Sequence, residues 1–289
     1  MEKQSHFQDP AKWVEDMILD FANRPEENTL KNGKNEKAWE DPLVGFSSGD
    51  DPLYQAYKEV VGSFHWTPAE AFSQAFPSSK VPLENLTVIS WVLPQTRTTK
   101  SENRKETLYP SERWARARIF GEEFNVNLAK HVVMSLQEAG VEAVAPSLSP
   151  SFTWMPSERY TLASMWSERH AAYASGLGTF GLCDGMITSK GKAVRFGSVV
   201  ANIKIPPTKR PYEDPRAYCL FFSKGTCGKC IKRCPVGALT SDGHDKVKCR
   251  AHIDSSRPYV KSKFGFEGYG CGLCQTGVPC ESRIPLRRV

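Results

Sequence analysis

Eight of the chain's nine cysteines fall between residue 219 and the C-terminal end: Cys219, Cys227, Cys230, Cys234, Cys249, Cys271, Cys274 and Cys280. Cys227, Cys230 and Cys234 stand in C-x2-C-x3-C-P spacing with Pro235 last, and Cys271 and Cys274 form a second C-x2-C. A cubane iron–sulfur cluster needs four soft, anionic sulfurs within one small radius, so eight thiolates suffice for two [4Fe-4S] clusters. A C-x2-C loop delivers two thiolates to one cluster, and the x3-C-P step carries the chain to its neighbour. Crossed ligation then sorts the thiols. Cys219, Cys227, Cys230 and Cys280 surround one cluster, and Cys234, Cys249, Cys271 and Cys274 surround the other. Two departures from the usual bacterial pattern stand out. Lys224 occupies the place of a cysteine, so Cys219 must reach in over a longer loop, and the second motif is C-x2-C-x5-C. A zinc ribbon also uses C-x2-C pairs, but the Cys-Pro step and a set of eight favour iron and sulfur. Cys183 stands apart and reads as a small buried hydrophobe.

The surrounding composition limits what such clusters could serve. The chain has 289 residues and a net charge of +6. Residues 219–289 hold 13 Lys and Arg against 5 Asp and Glu, a balance of +8, which leaves −2 for the remainder. This basic excess suits docking of an acidic electron donor such as flavodoxin or ferredoxin, and it equally offsets the negative charge of cluster–thiolate units. The basic residues form no long run, so nucleic acid is not an expected partner. No apolar run reaches the ~20 residues of a membrane helix, so no membrane association is expected. The start MEKQSHFQDP has neither an apolar core nor twin arginines. A cytoplasmic location follows as the expectation, and a disulfide framework is disfavoured there.

The elements that must position these thiols read as an α/β (α+β) chain. Asp9-Pro10 opens a helix, residues 24–52 read as a loop, and Thr67-Pro68-Ala69-Glu70 combines a capping box with proline at the first helical position. Leu86–Leu93 is an apolar run stopped by Pro94, as in a buried strand. Residues 95–110 read as a polar loop. A helix follows from Ser111, broken near Gly121 and capped near Gly140, and Val141–Ala145 reads as a strand. Residues 146–157 read as a loop, 158–175 as a helix and 194–205 as a strand. Pro206, Pro207 and Pro211 mark a linker. Three regions result: an N-terminal helical and loop region (1–80), a three-layer α/β core (81–210) and the cysteine domain (211–289).

The stretch between core and cysteines carries a resemblance. It contains Ser175-Gly176-Leu177-Gly178-Thr179-Phe180-Gly181, then Met186-Ile187-Thr188, then Gly191 to Arg195 and Gly197. This resembles the cobalamin-dependent epoxyqueuosine reductase and reductive dehalogenase superfamily over roughly residues 80–285. Those proteins share an A-G-L-G-x-x-G segment, a short strand and a G-x-x-x-R-x-G turn ahead of a ferredoxin-like domain. The resemblance implies a nitroreductase-like three-layer core that holds cobalamin above the nearer cluster. Gly176, Leu177, Gly178, Gly181, Ile187, Arg195 and Gly197 would then contact the cofactor. The alternative for the glycines is a tight helix–turn–strand joint.

An oxidoreductase is implied, relaying electrons through two clusters to a corrinoid that reduces a small-molecule substrate. The alternative is an electron-transfer protein with no substrate of its own. In epoxyqueuosine reductases an aspartate ahead of the G-L-G serves as acid, and counting back places Leu162 there. Dehalogenase-like enzymes pair a tyrosine with a basic residue, which points to Tyr160 with Arg169 as the catalytic pair. Glu168, His170 and Tyr173 are further candidate proton donors.

Overall fold

The computed structural model describes residues 8–285. Helix α1 (Pro10–Ala22) starts on Asp9, whose carboxylate accepts the Lys12 amide. Strand β1 (Leu43–Ser48) and helices α2 (Pro52–Val61) and α3 (Pro68–Ala75) follow, α3 closed by the Thr67–Glu70 capping box. Next come β2 (Leu86–Pro94), α4 (Arg97–Asn103), α5 (Glu112–Glu138) and β3 (Ala143–Val144). A hairpin of β4 (Trp154–Ser157) and β5 (Thr161–Ser164) leads into α6 (Glu168–Ala174), and β6 (Gly178–Phe180) pairs with β7 (Met186–Thr188). Strand β8 (Val194–Asn202) completes the main sheet.

That sheet has the order β1-β2-β8-β3, with every pair antiparallel. Side chains alternate across it with period two. Ile89, Trp91, Leu93, Val199 and Ala201 pack with Ile18 of α1 and Phe124, Leu128 and Leu136 of α5. Val88, Val92, Phe196 and Val200 pack with Tyr54, Phe72 and Trp166 and with Ala171 and Ala172 of α6. All nine residues of β2 are buried because both faces of the strand are covered. The result is helix on sheet on helix, an α+β three-layer core.

Several expectations are corrected here. Residues 24–52 contain β1, which pairs along its whole length with β2, so residues 8–80 build the core instead of preceding it. Helix α4 lies inside the expected polar loop; the positions it buries are Thr99, Lys100 and Asn103, so no apolar stripe announces it. Helix α5 runs unbroken through Gly121, where a Cβ would sit 2.6 Å from the Trp39 indole, which donates to the Gly121 carbonyl at 3.0 Å. Residues 158–167 are not helical. They hold the β4–β5 turn, in which Thr161 takes φ +61, a left-handed conformation a β-branched residue seldom adopts.

The cysteine region adds α7 (Leu220–Lys224), α8 (Lys229–Arg233), the ribbon β9 (Leu239–Thr240) with β10 (Gly243–His244), and α9 (Lys246–Phe264). Polar contacts fasten it to the core. Arg233 donates to the carbonyls of Leu273, Thr276, Glu106 and Asn103, while Asn103 donates to the carbonyl of Cys271 and the hydroxyl of Thr276. No helix among the described residues is long and apolar enough to cross a membrane.

Candidate metal centres and the adjoining recess

Cys219 caps the start of α7, Cys227 precedes α8, Cys230 lies within it, and Cys280 arrives from the far end of the region. The fold gathers these four thiols around one small cavity, walled also by Ile187, Lys192 and Val278. Burial pushes the Cys230 thiol up to about 12 and the Cys280 thiol up to about 11. As thiolates they therefore need a positive partner inside the protein. Among the described residues no three of His, Cys, Asp or Glu converge closely enough to hold one metal ion. The thiols instead ring a void, an arrangement with room for a multi-iron cluster.

The remaining four thiols lie near one another. Burial pushes Cys271 up to about 11, and the cysteines that act on it are Cys249 and Cys234. Cys274 neighbours Cys183 and also feels Cys271. The Ala238 amide donates to the Cys234 sulfur at 3.2 Å, a bond that stabilises a thiolate. His244, at the end of the ribbon, bonds Asp184 at 3.1 Å and neighbours Cys249, and against burial the two together raise it to about 9. The donor sets thus fit two four-thiolate groups in number, chemistry and placement.

Beside them the β4–β5 hairpin, the first turn of α6 and the start of α9 meet in a partly exposed polar recess, where Lys246 stands over the Tyr160 ring, 3.9 Å from Asp184 and within the field of Arg169. Glu168, Arg169 and His170 follow the Ser167 N-cap of α6. Glu168 and His170 are half-buried and Arg169 is exposed, while protein crowds all three and covers one oxygen of the Glu168 carboxyl. Burial raises the Glu168 carboxyl to about 7 against a hydrogen bond from the Ser198 hydroxyl, and Glu122 on α5 adds a like charge. The other carboxyl oxygen, near Ser147 and Trp166, lacks a well-aligned hydrogen bond. Burial lowers the Arg169 guanidinium, and Arg195 adds repulsion while Asp184 opposes it. Burial lowers His170 to about 3; its Nδ1 lies 2.8 Å from the Ser167 hydroxyl.

Tyr160 sits in the hairpin turn. The cations against its ring are Lys246, 3.9 Å from the centroid, and Arg159 at 5.6 Å. The structure thus gives Tyr160 a basic neighbour from α9, while the charges acting on Arg169 come chiefly from Arg195 and Asp184. Leu162 is on the same hairpin with its side chain exposed. Tyr173 is committed to packing, its hydroxyl donating to the Glu213 carbonyl at 3.2 Å. Reading by sequence position missed Lys246, Asp184, Glu122 and Lys192, which come from separate elements and share no motif.

The glycine-rich segment has a structural account of its own. Gly176 takes φ +76 and ends α6: its amide donates to Tyr173 and the Leu177 amide donates to Ala172, the double bond of a Schellman cap. A Cβ on Gly178 would lie 2.3 Å from the Ile187 carbonyl oxygen, and one on Gly197 would lie 2.5 Å from the Trp91 indole. Leu177 packs over Gly45. Ile187 is fully buried against the cavity of Cys219. Arg195 lies 2.8 Å from Glu122. Of these residues Arg195 borders the recess, with Arg169 in its field, while Gly176, Gly178 and Gly197 are needed by the chain itself.

No protein-family model matches the chain. Over 119 residues it is 34% identical to an epoxyqueuosine reductase of Bacillus anthracis, a match covering 39% of this chain and 29% of the relative. A longer match, 252 residues at 24% identity, is to the epoxyqueuosine reductase of Staphylococcus aureus and covers 82% of this chain and 60% of that protein. Among solved structures, an epoxyqueuosine reductase with a tRNA-Tyr epoxyqueuosine-modified tRNA stem loop aligns at TM-score 0.48 and 17% identity, over 93% of this chain and 66% of that one. The chain therefore spans less than two thirds of the length of these curated relatives. The expectation that nucleic acid is not a partner is corrected by the last comparison, in which the similar protein is bound to a tRNA stem loop; a short basic run is a poor guide where shape reads the RNA.

Proposed function

We propose that this chain, a member of the superfamily that includes the epoxyqueuosine reductases, is a cytoplasmic reductase holding two [4Fe-4S] clusters and a corrinoid. The observation that carries this reading is the pair of four-thiol sets, one ringing a single cavity, set directly against the polar recess. Cys219, Cys227, Cys230 and Cys280 bind the first cluster, and Cys234, Cys249, Cys271 and Cys274 bind the second. Residues 211–289 form the cluster domain and the preceding α/β layers form the substrate and cofactor side. The corrinoid occupies the recess, beside exposed Arg169 and the Tyr160 ring with its Lys246 cation. When bound, the clusters pass single electrons and the corrinoid hands them to the substrate.

The chain's own residues supply protons and charge. Glu168 keeps a proton near neutral pH because burial disfavours its anion. The Tyr160 hydroxyl is a second source; burial raises it, with Arg159 working against that shift. Arg169 offsets negative charge in the recess. The substrate is a modified nucleoside carried on RNA, as the names of the relatives suggest. A small free organic substrate is the second reading, favoured by exposed Leu162 on the hairpin where the relatives' acid is expected.

The test is anaerobic purification with cobalamin supplied. Iron at about eight and cobalt at about one per chain are expected, with a cobalt spectrum that changes on reduction. Zinc in place of iron would end the reading. Turnover of an epoxyqueuosine-bearing stem loop, and its absence with the free nucleoside, would separate the two substrate classes.

A further inference from the structure

Lys192 is 3% exposed, and among the described residues no carboxylate lies within ion-pair distance of it. Burying an ammonium without an anion is costly, so such a group has a partner or a use. Its surroundings are thiols. Nζ donates to the Cys183 sulfur at 3.1 Å, and Cys183 in turn neighbours Cys274 of the second ligand set. The same side chain lines the cavity of Cys219, Cys227, Cys230 and Cys280. Its backbone amide donates to the Cys280 carbonyl at 2.8 Å, which locks the lysine onto that ligand loop.

The turn before it is shaped around the ammonium. The Gly181 amide donates to the Gly185 carbonyl at 2.8 Å, and Asp184 takes φ +55 to close the turn. A Cβ on Gly181 would stand 3.6 Å from Nζ, and one on Gly185 would stand 3.2 Å from the Cys183 sulfur. Gly181, Cys183 and Gly185 thus lie in contact with the lysine side chain or its thiol partner. Nothing in the cofactor recess uses it.

Resting on the reading of the eight cysteines as cluster ligands, we propose that Lys192 is the charge-compensating residue between the two clusters. It holds their reduction potentials up, and Cys183 is the positioning residue that keeps the ammonium between the two ligand sets. A four-thiolate cubane is anionic, and each one-electron reduction adds one negative charge with no bond formed or broken. A fixed cation in a low-dielectric interior favours the more negative state.

The test uses the full chain loaded anaerobically with iron and sulfide, in Lys192→Met, Lys192→Arg and Cys183→Ala forms. Each is titrated with dithionite against redox mediators and followed by electron paramagnetic resonance. Lys192→Met is expected to keep its iron and to shift at least one midpoint to more negative values by a tenfold or greater change in the reduction equilibrium, which is 59 mV for a one-electron couple. Lys192→Arg should stay near wild type, and Cys183→Ala should shift in the same direction by less. Loss of iron from Lys192→Met with retention in Lys192→Arg supports the same role. Unchanged midpoints in a fully loaded Lys192→Met, or loss of iron from both lysine variants, would overturn it. A wild-type protein that takes up no iron sinks the underlying cluster reading instead.

Discussion

Replacing Glu168 with glutamine isolates one buried carboxyl whose behaviour the recess dictates. The side chain stands at the first turn of α6, with the Ser198 hydroxyl of β8 on one oxygen and no well-aligned donor on the other. The charge that faces it is Glu122 from α5, while His170 is held neutral by burial. Burial dominates and raises the carboxyl from 4.5 to about 7. A folded-state value above the unfolded one means that the folded protein binds the proton more tightly. The stabilisation is complete below about pH 4.5, fades as pH climbs through 7, and is gone above it. The gap between the two values corresponds to about 3 kcal/mol between pH 4.5 and 8. Glutamine keeps the shape and removes the charge, so Glu168→Gln should match wild type near pH 5. At pH 8 it should be more stable by up to about 3 kcal/mol, a few degrees in melting temperature for a chain of this length. The assay is a set of paired thermal melts from pH 5 to 8.5 on identically loaded protein, read as the difference between variants. A difference that stays flat with pH would refute the reasoning, because it would mean that water reaches this carboxyl freely. If the recess is also the reaction site, reductase turnover should fall in the variant at every pH, since glutamine has no proton to give.

Three further outcomes follow from the geometry. Cys219→Ser should lower bound iron from about eight to about four per chain, and Cys249→Ser should do the same while sparing the other cluster's spectrum; loss of all iron from either would contradict two separable sets. Arg233→Lys cannot satisfy the carbonyls of Leu273, Thr276, Glu106 and Asn103 together. It should destabilise by on the order of 3 kcal/mol in chemical denaturation and quicken iron loss to a chelator. Gly197→Ala drives a methyl into the Trp91 indole and should cost about 1–3 kcal/mol with iron content unchanged, whereas a purely cofactor-related loss would leave the stability of the unloaded protein untouched.

What could be read without coordinates was whatever is local in the chain. Thiol spacing is local, so the gathering of Cys219, Cys227, Cys230 and Cys280 around one cavity could be anticipated from it. The run Leu86–Leu93 is local too, and its uninterrupted apolar character marks a strand covered on both faces. The α3 capping box was legible because each partner lies within one turn of the other. Helix α4 was hidden because what it buries is polar: Asn103 serves the loop of Cys271 and Thr276, a demand set by residues far along the chain. The β4–β5 hairpin was hidden because its turn needs Thr161 at positive φ, against that residue's own preference. The recess was illegible as a unit, since Tyr160, Asp184 and Lys246 meet only once three elements are folded together.

The glycine-rich segment is where sequence and structure pull hardest against each other. Gly176 caps a helix, Gly178 admits the Ile187 carbonyl and Gly197 admits Trp91, so each glycine is required whether or not a cofactor is present. A motif built from such residues reports a joint between two layers, and it would persist in a relative that had changed its substrate. The residues free to vary with chemistry are the side chains that the joint places: Glu168 and Arg169 ahead of it, and Cys183 and Lys192 behind it. One pair faces the recess and the other lies between the thiol sets. The joint therefore couples the two halves of the molecule through its rigidity, and the differences between this chain and its relatives should be sought in the side chains on either side of it.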